Sequence, residues 1–205
     1  QLSAIPLVVD LDGTLVHTDL LYESYFSSMT KGAGHHYSVI KSLVGGKARI
    51  KAYLATVSAV DYATLPYNDS VLELIRMAKS EGRKVYLATA SDRHHADKIA
   101  RHVGLFDGVF ASDGAMNLSG ANKARVLTEA FGERGFDYAG DRVADIPIWQ
   151  HASKAFVISN SARLTQRVQS MNVPAEALQT PRATLKAWRK ALRVHQYAKN
   201  ALVFV

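Results

Sequence analysis

The chain opens on a short apolar run, Ile5-Pro6-Leu7-Val8-Val9, that breaks off into Asp10-Leu11-Asp12-Gly13-Thr14. A continuous apolar run that ends in a polar loop predicts a strand buried on both faces, with polar groups at its carboxyl end. The figure recurs. Lys84 to Ala88 predicts a second strand ending in Thr89-Ala90-Ser91-Asp92, and Gly108 to Ala111 a third. Phe136 to Ala139 runs into Gly140-Asp141, and Ala155 to Ile158 is a further strand. Helical spacing separates these runs. Val71, Leu72, Leu74, Ile75 and Ala78 mark an amphipathic helix stopped near Gly82. Arg93 to Val103 is a helix ending at Gly104, and Lys123 to Phe131 and Ile146 to Ala152 are two more. Strands and helices in alternation predict an α/β fold, a doubly wound parallel sheet with helices on both faces.

The spacing departs from this rhythm once. Roughly 65 residues separate the first two strands, too many for a simple crossover. Leu20 to Phe26 reads as helical, with Leu21, Tyr25 and Met29 on one face. Lys31 to Tyr62 is mixed, broken by Gly32, Gly34, Gly45 and Gly46. The expected organisation is a core from 1–18 and 66–180, a small helical cap from 19–65 inserted after the first strand, and a basic tail from 181–205.

Composition sharpens this only in places. Of the 205 residues 48% are hydrophobic, enough for a substantial core. The chain has no cysteine, which excludes disulfides, thiolate metal sites and thiol nucleophiles. The net charge is +7, but Arg182, Lys186, Arg189, Lys190, Arg193 and Lys199 lie in one stretch without an acidic residue. These six leave +1 for the rest, so a nucleic-acid partner is not expected. The chain begins without Met and ends in the apolar run Ala201 to Val205, so we expect a piece of a longer protein.

The candidate chemistry sits at the predicted strand ends and one helix start: Asp10 with Asp12, Thr89, Lys123, and Asp141 with Asp145. In a doubly wound sheet these ends converge on one crevice. Clustered carboxylates repel one another unless a cation intervenes, and hard oxygen donors suit Mg²⁺. A carboxylate such as Asp10 is a competent nucleophile toward phosphorus. Asp12 is then placed to protonate a leaving group and later activate water. Thr89 and Lys123 suit phosphoryl oxygens. Asp141 completes the metal ligands with Asp10 and Asp12, while Asp145 orients Lys123 or a metal-bound water.

Asp10-Leu11-Asp12-Gly13-Thr14-Leu15 resembles the first motif of the haloacid-dehalogenase superfamily. Thr89 after Val85-Tyr86-Leu87-Ala88 resembles the second motif, Lys123 the third, and Gly140-Asp141 with Asp145 the fourth. The resemblance runs in order over roughly Leu7 to Val157. It implies a nucleophilic Asp10, a phosphatase or phosphomutase marked by Asp12, a substrate phosphate on Thr89, Ala90 and Lys123, and Mg²⁺ as cofactor. Leu192 to Val205 resembles the opening of a UbiA-type polyprenyl transferase, whose basic approach leads into a membrane helix. This implies a fusion held at the cytoplasmic face of a membrane through a further C-terminal domain, with a prenyl-linked or sugar phosphate as substrate. The rivals are a phosphotransferase and a non-catalytic regulatory module. Rival residues are Arg125 for Lys123, and Asp145, Asp137 or Asp113 for Asp141. His35-His36 and His94-His95 are expected to be solvated or capping residues rather than ligands, since adjacent side chains diverge.

Overall fold

The structure, a computed structural model, describes residues 5–17, 62–113 and 117–179. Six strands form one parallel sheet: β1 (Leu7–Val9), β2 (Val85–Asp92), β3 (Gly108–Ser112), β4 (Asp137–Gly140), β5 (Ala155–Ile158) and β6 (Ala175–Leu178), in the order β3-β2-β1-β4-β5-β6. The helices are α1 (Asp69–Ser80), α2 (Arg93–Val103), α3 (Ala121–Phe131), α4 (Ile146–His151) and α5 (Ala162–Gln169). The predicted α/β doubly wound sheet is therefore present.

β1 is central, with Val8 opposite both Tyr86 and Tyr138. Its side chains alternate between faces. Leu7 and Val9 join one core with Val71, Leu74, Ile75 and Ala78 of α1 and Ala96 and Ile99 of α2. Val8 joins the other with Leu127 of α3, Ile148 and Trp149 of α4, and Leu164 and Val168 of α5. This explains why β1 has no polar position: neither face meets water. Asn68 starts α1 by accepting from the Ser70 amide, and Asp92 starts α2 by accepting from the His94 amide.

The structure differs from the elements expected of the sequence in two places. β2 runs on to Asp92 instead of stopping at Ala88, because its register shifts against β3: Thr89 faces Ala111, but the next pair is Asp92 with Ser112. This bulge keeps Thr89 to Ser91 within the strand while re-aiming them. α5 and β6 extend the fold beyond the predicted elements. The predicted cap and basic tail fall almost wholly outside the described residues. Within them, the end of the insert is a 3₁₀ turn at Tyr62–Thr64.

The chain's exit from the core and its return are paired. Val16 bridges Tyr67, the His17 amide donates to Pro66 O at 3.0 Å, and the Asn68 amide donates to Leu15 O at 2.9 Å. Among the described residues, no helix is long and apolar enough to cross a membrane.

Candidate active site

Strand order reverses at β1, with β2 on one side and β4 on the other, which opens a crevice beyond their carboxyl ends. Asp10 follows β1 and is tied to β4 by its amide, which donates to Ala139 O at 2.9 Å. The loop after it is a tight turn, with the Gly13 amide on Val16 O at 2.8 Å. Gly13 has φ +84, and a Cβ there would lie 2.2 Å from Asp141 Oδ2. Glycine thus satisfies both the left-handed backbone and the close approach of the two aspartate loops.

Lys123, in the first turn of α3, is 3% exposed. Its ammonium donates to Asp10 Oδ1 at 2.6 Å and to the Tyr138 hydroxyl at 3.0 Å. That hydroxyl donates onward to Asp145 Oδ1 at 3.0 Å. Burial pushes the Tyr138 pKa well up, assisted by Asp145 and Asp10, so the phenol keeps its proton. Asp145 Oδ2 accepts from the Asp141 and Arg142 amides at 3.2 Å each. Asp145 therefore orients Lys123 indirectly, through Tyr138. Gly140 makes room for this: a Cβ there would meet Asp145 Oδ2 at 2.7 Å and Tyr138 Cε1 at 2.8 Å.

Asp12 is held from β2. Ser91 Oγ donates to its Oδ2 at 2.6 Å, and Thr89 Oγ1 lies at 3.4 Å from the same oxygen. Thr89 Oγ1 also accepts from the Ser91 amide at 2.9 Å, a turn closed by the bulge in β2. The Ala90 carbonyl accepts from Ser112 Oγ at 2.9 Å. From the sequence Ser91 and Asp92 can each cap the next helix; Asp92 does so, and Ser91 serves Asp12. Tyr138 is also missed by the sequence reading, because a tyrosine inside an apolar strand reads as core.

The carboxylates of Asp10, Asp141 and Asp145 each offer an oxygen within 4.8 Å of the other two. The expected set was Asp10, Asp12 and Asp141. The structure instead gathers Asp145 with Asp10 and Asp141, and turns the Asp12 carboxylate to Ser91. The Asp12 backbone carbonyl accepts from the Arg142 guanidinium. Arg142 Nε also donates to Asp141 Oδ1 at 3.0 Å, and Thr14 Oγ1 to the same oxygen at 3.3 Å. Burial pushes Asp145 up to about 6, and Asp10 adds to the shift. Burial likewise raises Asp141, with the Asp10 charge in the same direction and Arg142 opposing. Three close carboxylates, two buried and one half-buried, in mutual repulsion fit a hard divalent cation such as Mg²⁺, which relieves the repulsion and accepts oxygen donors.

Of the rival residues Asp145 joins the cluster, while Arg125 and Asp137 fall elsewhere. Arg125 is solvent-facing and paired with Glu129 at 2.8 Å. Asp137 pairs with Arg83 at the amino end of β4, opposite the crevice. His95, expected to be solvated or capping, is instead 3% exposed, with Nδ1 2.7 Å from the Tyr62 hydroxyl. The face of α2 that carries it packs on the returning chain. His94 is exposed.

A family model for haloacid dehalogenase-like hydrolases matches residues 7–150. An uncharacterized protein, y4nM, of Sinorhizobium fredii is 39% identical over 202 residues, 98% of this chain. The chain spans only 39% of that relative's length. A probable phosphoserine phosphatase from Vibrio cholerae superposes with TM-score 0.57 at 15% identity, over 94% of this chain and 68% of that one. A structure described as a phospho-aspartyl intermediate analogue of phosphoserine phosphatase superposes with TM-score 0.55 at 15% identity, over 85% and 94%. At such identities the two structures attest the fold. With the family model spanning β1 to β4 and every residue of the crevice, the chain belongs to the haloacid dehalogenase-like hydrolases.

Proposed function

We propose that this chain is a Mg²⁺-dependent phosphohydrolase that cleaves a phosphomonoester through an aspartyl-phosphate on Asp10. The observation that carries the reading is the pairing of a buried Asp10 with a buried Lys123 at 2.6 Å, beside two more carboxylates and a separately held Asp12. A purely structural role does not require charges this deep, since they cost desolvation. Asp10, Asp141 and Asp145 would hold the ion. When bound, Mg²⁺ supplies positive charge against the phosphoryl oxygens.

The chain's own residues do the rest. An Asp10 carboxylate oxygen attacks phosphorus, and the bond from phosphorus to the ester oxygen breaks. The leaving oxygen takes a proton from the Asp12 carboxyl. Water then gives a proton to the Asp12 carboxylate as its oxygen attacks phosphorus, which frees Asp10 and inorganic phosphate. Lys123 offsets the charge on Asp10 and the phosphoryl group. Thr89 and Ala90 on the bulged end of β2 line the same corner as Asp12. Ser91 fixes the Asp12 oxygen that must not wander between the two half-reactions.

The substrate class we favour is a prenyl-linked or sugar phosphate. It rests on the UbiA-like residues Leu192 to Val205, which lie outside the described residues, and on the much greater length of the curated relative. In the same reading a further C-terminal membrane domain holds residues 1–18 and 66–180 at the cytoplasmic face, with 19–65 as the cap. No nucleic-acid partner is proposed.

Phosphate release from a panel of esters, with and without Mg²⁺, tests the chemistry. Wild type should release phosphate only with Mg²⁺, and Asp10→Asn should lose at least about a thousandfold in kcat. Full activity in Asp10→Asn would end the aspartyl-phosphate reading. Far better turnover of phosphoserine than of any prenyl or sugar phosphate would end the substrate assignment alone.

A further inference from the structure

Among the described residues, Arg142 is a cation at the crevice mouth that the proposed reaction does not use. It follows Asp141 directly, and its side chain is 44% exposed. A surface arginine normally extends into water, but this one folds back over the aspartate loop. Its Nε donates to Asp141 Oδ1 at 3.0 Å, and its Nη2 donates to the Asp12 backbone carbonyl. The same Nη2 lies 2.9 Å from where a Cβ on Gly13 would be, so the guanidinium lies directly over the glycine turn. Burial works against its charge, but Asp141, Asp10 and Asp12 outweigh that and push its pKa up. The planar fork reaches both oxygens at once, which a lysine ammonium does not.

These contacts bear on the ion. Asp141 is one of the three carboxylates whose oxygens lie within 4.8 Å of one another. A divalent cation taken up by that set needs the Asp141 oxygens, and its charge repels a guanidinium at bonding distance. We propose that Arg142 is a tethered counter-cation of the metal site: it neutralises Asp141 and the Asp12 carbonyl while no divalent ion is bound, and uptake of the ion displaces it toward solvent. Arg142 thereby sets how much Mg²⁺ the protein needs, and keeps the carboxylate cluster from repelling itself open at low Mg²⁺. The inference rests on the Mg²⁺ reading above and adds the residue that regulates the site's affinity.

The test is calorimetric titration of the full chain with Mg²⁺ alone, without substrate, for wild type, Arg142→Gln, Arg142→Met and Arg101→Gln. Arg101 is exposed on α2 and carries the same charge far from the crevice. Loss of a half-exposed ionic competitor should tighten Mg²⁺ binding by about three- to tenfold in both Arg142 variants. Arg101→Gln should bind as wild type does. In parallel, the Arg142 Nε–H resonance of wild type should shift on Mg²⁺ addition as its bond to Asp141 breaks. Equal or weaker binding in the Arg142 variants overturns the proposal, as does equal tightening in Arg101→Gln or an unmoved Nε–H resonance. The two uncharged replacements differ in polarity, so a folding defect in one leaves the other to decide. Absence of Mg²⁺ binding in wild type itself would remove the metal-dependent function and this inference together. Normal wild-type binding with unchanged Arg142 variants would remove only the latter.

Discussion

Tyr138 governs how the buried charges of the crevice are arranged. Its hydroxyl receives the Lys123 ammonium and donates to Asp145, both at 3.0 Å. Without it, a 3%-exposed ammonium and a 3%-exposed carboxylate face an apolar ring edge. Leaving buried polar groups short of a partner costs about 1–3 kcal/mol. Tyr138→Phe should lose stability in that range by urea denaturation. It should also lower kcat about tenfold, because Lys123 is no longer held on Asp10. An unchanged kcat would show that Asp10 alone positions Lys123. Ser91 plays a similar part for Asp12. Its hydroxyl is the short donor at 2.6 Å, while Thr89 stands off at 3.4 Å. Ser91→Ala should lower kcat about tenfold through a misaimed proton donor, with KM little changed. A change confined to KM would place Ser91 in substrate binding.

At the scale of elements, the site is a product of short strands with abrupt ends. β1 is only three residues, so its apolar run delivers Asp10 directly into the crevice. The turn that follows works only with glycine at position 13. Gly13→Ala combines a left-handed backbone, costing about 1–3 kcal/mol for a residue with Cβ, with a contact at 2.2 Å to Asp141. Urea unfolding should register at least that loss, and Mg²⁺ binding should weaken as the two aspartate loops separate. A variant as stable as wild type would mean that the loop has another conformation available. Elements of this kind were legible in the sequence because β1, β4 and β5 are buried on both faces. α2 was readable to its last residue, with Asp92 starting it and Gly104 ending it at φ +70. α5 was not, since only Leu164 and Val168 are buried in a polar stretch. β6 was not either, as an edge strand reading Ala-Glu-Ala-Leu has little β preference. Asp10, Lys123 and Asp141 were legible from their positions after strands or at a helix start. Ser91 and Tyr138 were not, because their roles arise only from partners distant in sequence. The same applies to the approach of Asp145 to Asp10 and Asp141, and to the turning of the Asp12 carboxylate onto Ser91.

For the whole molecule, the vulnerable seam is where the chain leaves the core and returns. Tyr67 stacks on His102 with ring centroids 5.8 Å apart, and Tyr62 bonds His95 on the same face of α2. Lys98 lies 5.7 Å over the Tyr62 ring, and its charge disfavours a proton on His95. Burial lowers the His95 pKa from 6.5 to about 4, with His94 and Lys98 in the same direction and Asp92 opposing. The unfolded chain therefore binds more protons than the folded one between those values, and stability rises with pH across that window. The contribution is fully present above about 6.5 and is lost as pH falls toward 4. Its upper bound is about 3 kcal/mol. Asp145 shifts in the opposite sense, and its raised pKa favours folding at acid pH. The wild-type curve alone would blend the two. Comparison with His95→Gln separates them, because both proteins carry Asp145. The stability gap between wild type and His95→Gln should narrow by about 2–3 kcal/mol from pH 7 to pH 4 in urea unfolding series. A gap that stays constant with pH would mean that His95 takes up its proton at the same pH folded and unfolded, and that the seam is held by Tyr67 and His102 instead.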